Sequence, residues 1–175
     1  MSWSDTHLHC FNIRNKEFGI YHDGGLEFED DPEKIYLGDF NFYVNERFIY
    51  EYNFNDDWEL EIRVEKILTA NKNQSYPICI SGERASPPED CGGHSEYIEL
   101  AAHYNPNEIE RHLSEIQKRA ELGTLELEYI RSVIGTLSYW ANIHECKTES
   151  INQWLTQYAS GNIDWDDYID KEVAA

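Results

Sequence analysis

Positive charge is scarce in this sequence. Lys and Arg total 14 against 34 Asp and Glu, a formal net charge of −20. Direct binding to a nucleic-acid backbone is excluded, because that requires clustered cations to neutralise phosphates. Anionic membrane surfaces are disfavoured for the same reason. Cysteine is also sparse: Cys10, Cys79, Cys91 and Cys146 contain no CxxC pair. A reducing, cytoplasmic setting is therefore expected. No apolar run approaches the roughly 20 residues of a membrane-spanning helix. The opening MSWSDTHLHC has neither the basic nor the apolar region of a targeting segment.

What is present is enough for a folded core. Of the 175 residues, 41% are hydrophobic and 14% aromatic, with 12 Tyr and 5 Trp. This composition is not that of a disordered polar chain, and its bulky rings suit a sheet packed on helices. The acidic excess keeps such a protein soluble. It also fits a basic protein partner, whose nucleic-acid groove this chain would occupy as a mimic or inhibitor.

The clearest pattern runs over residues 47–67, RFIYEYNFNDDWELEIRVEKI. Phe48, Tyr50, Tyr52 and Phe54 share one face by period two, and so do Trp58, Leu60, Ile62 and Val64 after a turn at Asn55-Asp56-Asp57. Glu59, Glu61, Arg63 and Glu65 alternate outward. This predicts a half-buried antiparallel hairpin with Leu60 in its core. Upstream, HLHCFNI at 7–13 puts His7, His9, Phe11 and Ile13 on one strand face, with EFGIY at 17–21 pairing across an Asn15-Lys16 turn. Residues 22–34 read as a loop, with Gly24-Gly25 and the run Glu29-Asp30-Asp31. Residues 69–95 are turn-rich, with Pro87-Pro88, Gly92-Gly93 and a short strand expected at Ile78-Cys79-Ile80. Helices follow: one capped by Ser95, one capped by Asn107, a long one over 124–146, and a last one from Thr148 or Ser150 to Gly161. The tail around Asp164, Asp166, Asp167 and Asp170 is expected to be solvated.

Two segments, YEYNFNDDWELEIRVEKI at 50–67 and GERASPPEDCGG at 82–93, together with the opening Trp3–His9, resemble the plasmid pRiA4b ORF-three-like family of mobile-element proteins. The resemblance runs from Trp3 to Arg119, and the PPEDCGG string is its most specific part. Some members carry a transposon-resolvase label, yet nothing in this sequence resembles a resolvase serine site or a basic DNA-binding helix. The family usually begins with a strand or hairpin and a helix ahead of the HLH segment. Their apparent lack here implies an open edge that favours association. The family's turn reads YDFGDDWEH and its loop RACPPEDCGG. This chain has Asn53, Asn55, Leu60 and Ser86 where those have Asp, Gly, His and Cys. The family pattern implies a structural zinc set of one His and three Cys, of which only Cys79 and Cys91 remain, with His94 as a third candidate and Cys10 in reserve. With two ligand positions replaced, loss of the metal is expected.

His7 and His9, with Asp56, Asp57, Glu89 or Asp90, form an alternative divalent-metal set for a metal-dependent hydrolase or nuclease. Hydrogen bonding within a polar rim is the simpler role for both imidazoles. Cys91 with His94 hints at a nucleophile pair, but buried thiols are more often inert. No catalytic residue and no cofactor is assigned. The expected fold is α+β, an antiparallel sheet packed by C-terminal helices. Residues 1–122 are expected to form the family-like domain, 123–163 a helical extension and 164–175 an acidic tail. The expected role is a non-enzymatic interaction module of a mobile-element or phage-like locus, with a basic protein partner or a homodimer contact through Trp3, His7, His9 and Phe11.

Overall fold

The computed structural model describes residues 3–4, 6–19, 28 and 34–161. Among these residues it is an α+β fold of four antiparallel strands followed by four α-helices. The expectations for Gly24-Gly25, Glu29–Asp31 and the tail from Asp164 lie outside the described residues. The chain divides into two compact units: a sheet unit of residues 3–71 and 89–96, and a helical unit of residues 72–88 and 97 onward.

The sheet unit holds β1 (His9–Ile13), β2 (Lys16–Gly19), β3 (Arg47–Tyr52) and β4 (Trp58–Arg63), in the order β2-β1-β3-β4. The register pairs Ile13 with Lys16, so the β1–β2 turn is Arg14-Asn15, one residue earlier than expected. Both are left-handed, with φ of 54° and 62°, as a two-residue hairpin turn with the sheet's twist requires. The Arg14 guanidinium then forms two bonds, of 2.7 and 3.2 Å, to the buried Glu46 carboxylate. That bidentate pair ties the hairpin tip to the entry of β3.

Period-two alternation fixes two distinct sheet faces. Ile13, Phe18 and Phe48 form the buried core of one, with Phe11, Ile35, Phe40, Phe42, Ile62 and Val64 packed around it. Phe42 stacks on Phe48 at 5.1 Å, and Phe18 meets Phe40 edge-on at 5.3 Å. Leu60 lies on this face, opposite Tyr50, but is half-buried rather than buried. The other face carries Cys10, Asn12, Glu17, Ile49, Glu51, Glu59 and Glu61 together with Arg47 and Arg63; Glu51 is directly opposite Glu59, and Arg47 is bonded to Glu61.

The helical unit holds most of α1 (Gly93–His103) and all of α2 (Pro106–Glu121), α3 (Leu127–Ala141) and α4 (Thr148–Ala159). Helix α1 starts at Gly93, before the expected cap at Ser95. The cap of α2 is Asn105, not Asn107: its side chain accepts from the amides of Asn107 and Glu108, and Pro106 occupies the first turn. Helix α3 is shorter than the expected 124–146, and Gly161 ends the last helix in the left-handed region at φ 70°. Trp140 is buried, with Tyr104 stacked on it at 5.3 Å. No strand forms at Ile78-Cys79-Ile80. The Asn152 side chain instead serves both backbone groups of Cys79, accepting from its N–H at 2.7 Å and donating to its carbonyl at 2.9 Å. One side-chain amide thus takes the place of the strand partner these backbone groups would otherwise need.

Candidate functional site: the clip between the hairpin turn and the PPEDCGG loop

The β3–β4 connection runs from Asn53 to Asp57, because Tyr52 pairs with Trp58. It therefore begins two residues earlier than the alternation implies, and Phe54 belongs to the turn. Asn53 and Asp57 are left-handed, at φ 51° and 54°. The Asn53 carbonyl closes the loop by accepting from the amides of Asp56 and Asp57, at 2.9 and 2.8 Å. The Asn53 side-chain oxygen accepts from the Asn55 amide at 3.3 Å, a local bond typical of Asn in turns. Asn55 is not left-handed, so a glycine is not required there.

The loop at 89–93 closes onto this turn. The Gly92 N–H donates to the Asp56 carboxylate at 3.1 Å, and the Asn53 amide donates to Asp90 at 3.3 Å. An Asp at position 53 would set a second carboxylate against Asp90; Asn supplies a donor instead. Gly92 and Gly93 have φ of 87° and 81°. A Cβ on Gly93 would sit 2.2 Å from the Asp56 carbonyl oxygen, so the second glycine is required by contact as well as by conformation.

The N-terminal segment completes the site. His7 Nε2 lies 2.8 Å from an Asp90 oxygen and 3.9 Å from a Glu89 oxygen. Glu89 accepts from the Ser4 amide at 2.9 Å and, in a short contact, from the Tyr52 hydroxyl. Tyr52 is 2% exposed, and Trp3 stacks on it at 4.5 Å. Burial, then the bond to Glu89, push the Tyr52 phenol well above its usual range. His9 is buried between Tyr50 and Tyr52, its Nδ1 3.4 Å from the His7 carbonyl. Phe11 is half-buried against Tyr50 at 4.6 Å. All four residues expected to meet a partner, Trp3, His7, His9 and Phe11, are thus engaged inside the sheet unit.

The structure therefore brings His7, Asp56, Glu89 and Asp90 to one place. They bond to backbone amides, to each other and to Tyr52 and Asn53. Such an arrangement holds a loop against a turn. Chemically it offers a His–carboxylate pair beside a phenol that resists ionisation, with no activated nucleophile. Burial, and next the Asp56 carboxylate, push the Cys91 thiol up, opposite to what a nucleophile needs. Burial likewise pushes Cys10 up to about 11. Cys91 and the exposed His94 belong to the sheet unit, while Cys79 belongs to the helical unit. Ser86 uses its carbonyl to accept from the Tyr139 hydroxyl at 2.9 Å. Sequence reasoning missed Tyr52, Ser4 and Asn53 as members of the clip. Only the departure of Asn53 from the related pattern marked it.

Among the described residues, the His, Cys, Asp and Glu side chains that bring three ligand atoms within 4.8 Å of one another are His103, Glu108 and His112. This group lies in the helical unit and was not anticipated from the sequence. No helix of the described residues is long and apolar enough to cross a membrane.

The residues of the clip all fall within the stretch shared with other proteins. The chain is 27% identical over 118 residues to "Uncharacterized protein y4hQ" of Sinorhizobium fredii, covering 67% of this chain and 60% of that protein. It thus spans less than two thirds of that relative's length. It is 34% identical to a protein of unknown function, MM3350 from Methanosarcina mazei Go1, whose crystal structure matches with a TM-score of 0.48 over 57% of this chain and 58% of that one. The plasmid pRiA4b ORF-3-like protein family matches residues 1–122, well over half of the sequence, and the chain belongs to that family.

Proposed function

We propose that this protein is a non-enzymatic, acidic interaction module of a plasmid, transposon or phage-like locus, and that it binds a partner protein through that partner's basic surface. The observation that carries the reading is an opposed pair of glutamates on the outer sheet face, beside the Arg47–Glu61 ion pair. Glu51 and Glu59 sit directly opposite each other across β3 and β4. Burial first, then Glu59, Glu17 and Asp57, push the Glu51 carboxyl above its ordinary range. Like charges in directly opposed positions cost a sheet about 0.2–1 kcal/mol. A cationic partner surface offsets that cost, so a charge pattern unfavourable to the free chain becomes favourable in a complex. The net charge of −20 extends the same field over the molecule and steers encounter with basic proteins.

The clip supports the non-enzymatic half of the reading. Its polar groups are spent on holding the PPEDCGG loop, and its nearest thiol is poorly ionised. A metal-dependent hydrolase built on His7 and His9 draws less support, because His9 is buried among tyrosines and His7 is bonded to Asp90. A cytoplasmic location goes with this reading: all four cysteines are free thiols. The test is affinity capture with the tagged full chain in extract of its native host. The expected result is a basic protein recovered at low salt and released at high salt. Recovery of no basic protein, or of one indifferent to salt, contradicts the proposal.

A further inference from the structure

We infer that His103, Glu108 and His112 form a surface site for a divalent transition metal of the zinc class, joining the end of α1 to the start of α2. One ligand atom from each side chain lies within 4.8 Å of the other two. Two imidazoles and one carboxylate are a three-ligand set that zinc accepts, leaving a fourth position for water. Hard cations such as magnesium prefer all-oxygen sets, so the imidazole pair selects against them.

The backbone positions this set. Glu108 and His112 are four residues apart on α2, hence on one helical face one turn apart. His103 comes from the last turn of α1. Between them, one side chain fixes the corner. The Asn105 amide nitrogen donates to the carbonyls of Ala102 and His103, both at 3.2 Å, while its oxygen accepts from the amides of Asn107 and Glu108, at 3.0 and 3.3 Å. Asn105 thus latches the end of one helix to the start of the next, and Pro106 sets the entry to α2. The rings are also supported: Tyr104 stacks with His112 at 6.1 Å, meets His103 edge-on at 5.0 Å and stacks on the buried Trp140. Arg111 donates to one Glu108 oxygen at 2.9 Å, leaving the other carboxylate oxygen for a metal.

Tetrahedral zinc holds its ligand atoms about 3.3 Å apart, given metal–ligand bonds of about 2.0–2.2 Å. Closing from 4.8 Å requires shifts of about 1–1.5 Å, within reach of side-chain rotation at an exposed His103 and half-buried Glu108 and His112. This set is separate from Cys79, Cys91 and His94, and its occupancy does not depend on the proposed partner.

The test is calorimetric titration of zinc chloride into chelator-treated full chain, with histidine ring signals followed by NMR. The expected result is one zinc per chain, perturbation centred on His103 and His112, and affinity reduced at least about tenfold in His112→Ala and in Glu108→Gln. His144→Ala is expected to bind as the unaltered chain does. Circular dichroism confirms that each variant is folded, and Glu108→Gln, a near-isosteric change, keeps the test open if His112→Ala is not. Absence of binding overturns the inference. So does affinity unchanged in both His112→Ala and Glu108→Gln, or binding abolished by Cys91→Ser instead.

Discussion

Replacing Gly93 with Ala tests the clip, and Gly92→Ala supplies its control. Both glycines are left-handed, at φ 81° and 87°, so both substitutions carry the same conformational cost of about 1–2 kcal/mol. They differ in what the new methyl meets. At Gly92 it meets the Glu96 side chain, with Cγ at 2.9 Å and Cβ at 3.0 Å; Cγ can rotate away, and Cβ has to give by only a few tenths of an ångström. At Gly93 it meets the Asp56 backbone oxygen at 2.2 Å, which cannot move without moving the hairpin turn. Relief requires a displacement of about 1 Å between loop and turn, toward ordinary van der Waals separation. That displacement breaks the 3.1 Å bond from the Gly92 N–H to the Asp56 carboxylate. A hydrogen bond to a charged group contributes about 1.5–3 kcal/mol. Gly93→Ala is therefore expected to cost roughly 2.5–5 kcal/mol, and Gly92→Ala about 1–2 kcal/mol. Urea denaturation followed by Trp fluorescence measures both, since Trp3 and Trp58 lie in the same unit. Equal midpoints for the two variants would refute the claim that the PPEDCGG loop is held by close backbone approach.

Other outcomes follow from the same contacts. Leu60→Ala is expected to cost about 1–2 kcal/mol, at or below the low end of buried leucine truncations, whereas Phe48→Ala at the buried core costs about 3–5 kcal/mol; equal losses in urea would show Leu60 to be core. Glu51→Gln is expected to stabilise the free chain at neutral pH by about 0.2–1 kcal/mol. The sign follows from its raised pKa: the penalty on the charged form is present at neutral pH and relieved as pH falls through the folded value, so the gain from Glu51→Gln should vanish in acid. Tyr52 has the same sign at the other end of the scale. Its phenol titrates above the unfolded value of about 10, so stability should fall as pH rises past that point, less so in Tyr52→Phe. Iodoacetamide followed by mass spectrometry should label Cys10 and Cys91 more slowly than a free thiol at neutral pH; fast labelling of Cys91 would revive the nucleophile reading.

Alternation made the sheet legible. The faces of β3 and β4 follow directly from Phe48, Tyr50, Tyr52, Trp58, Leu60 and Ile62, and the pairing of β1 with β2 was readable from two short alternating runs. Turn positions were not, because Phe54 prolongs the period-two pattern past the point where Asn53 turns left-handed. The strand expected at Ile78-Cys79-Ile80 failed for a different reason. Its backbone partner is an Asn side chain 73 residues away, and hydropathy does not encode such a bond. The clip was partly legible: His7, Asp56, Glu89 and Asp90 were singled out, but as metal candidates, since spacing does not show which carboxylates accept from backbone amides. The His103–Glu108–His112 group was not seen at all. Only Glu108 and His112 carry a helical spacing, and His103 joins them through the Asn105-Pro106 corner.

The most direct test of the acidic-module reading is the affinity of the full chain for its captured partner as salt is raised, compared between the unaltered chain and a Glu51→Gln/Glu59→Gln double variant. The account predicts at least about tenfold weaker binding in the double variant at low salt, which is about 1.4 kcal/mol, and convergence of the two as salt screens the charges. Equal affinities at low salt, with the variant folded, would contradict it.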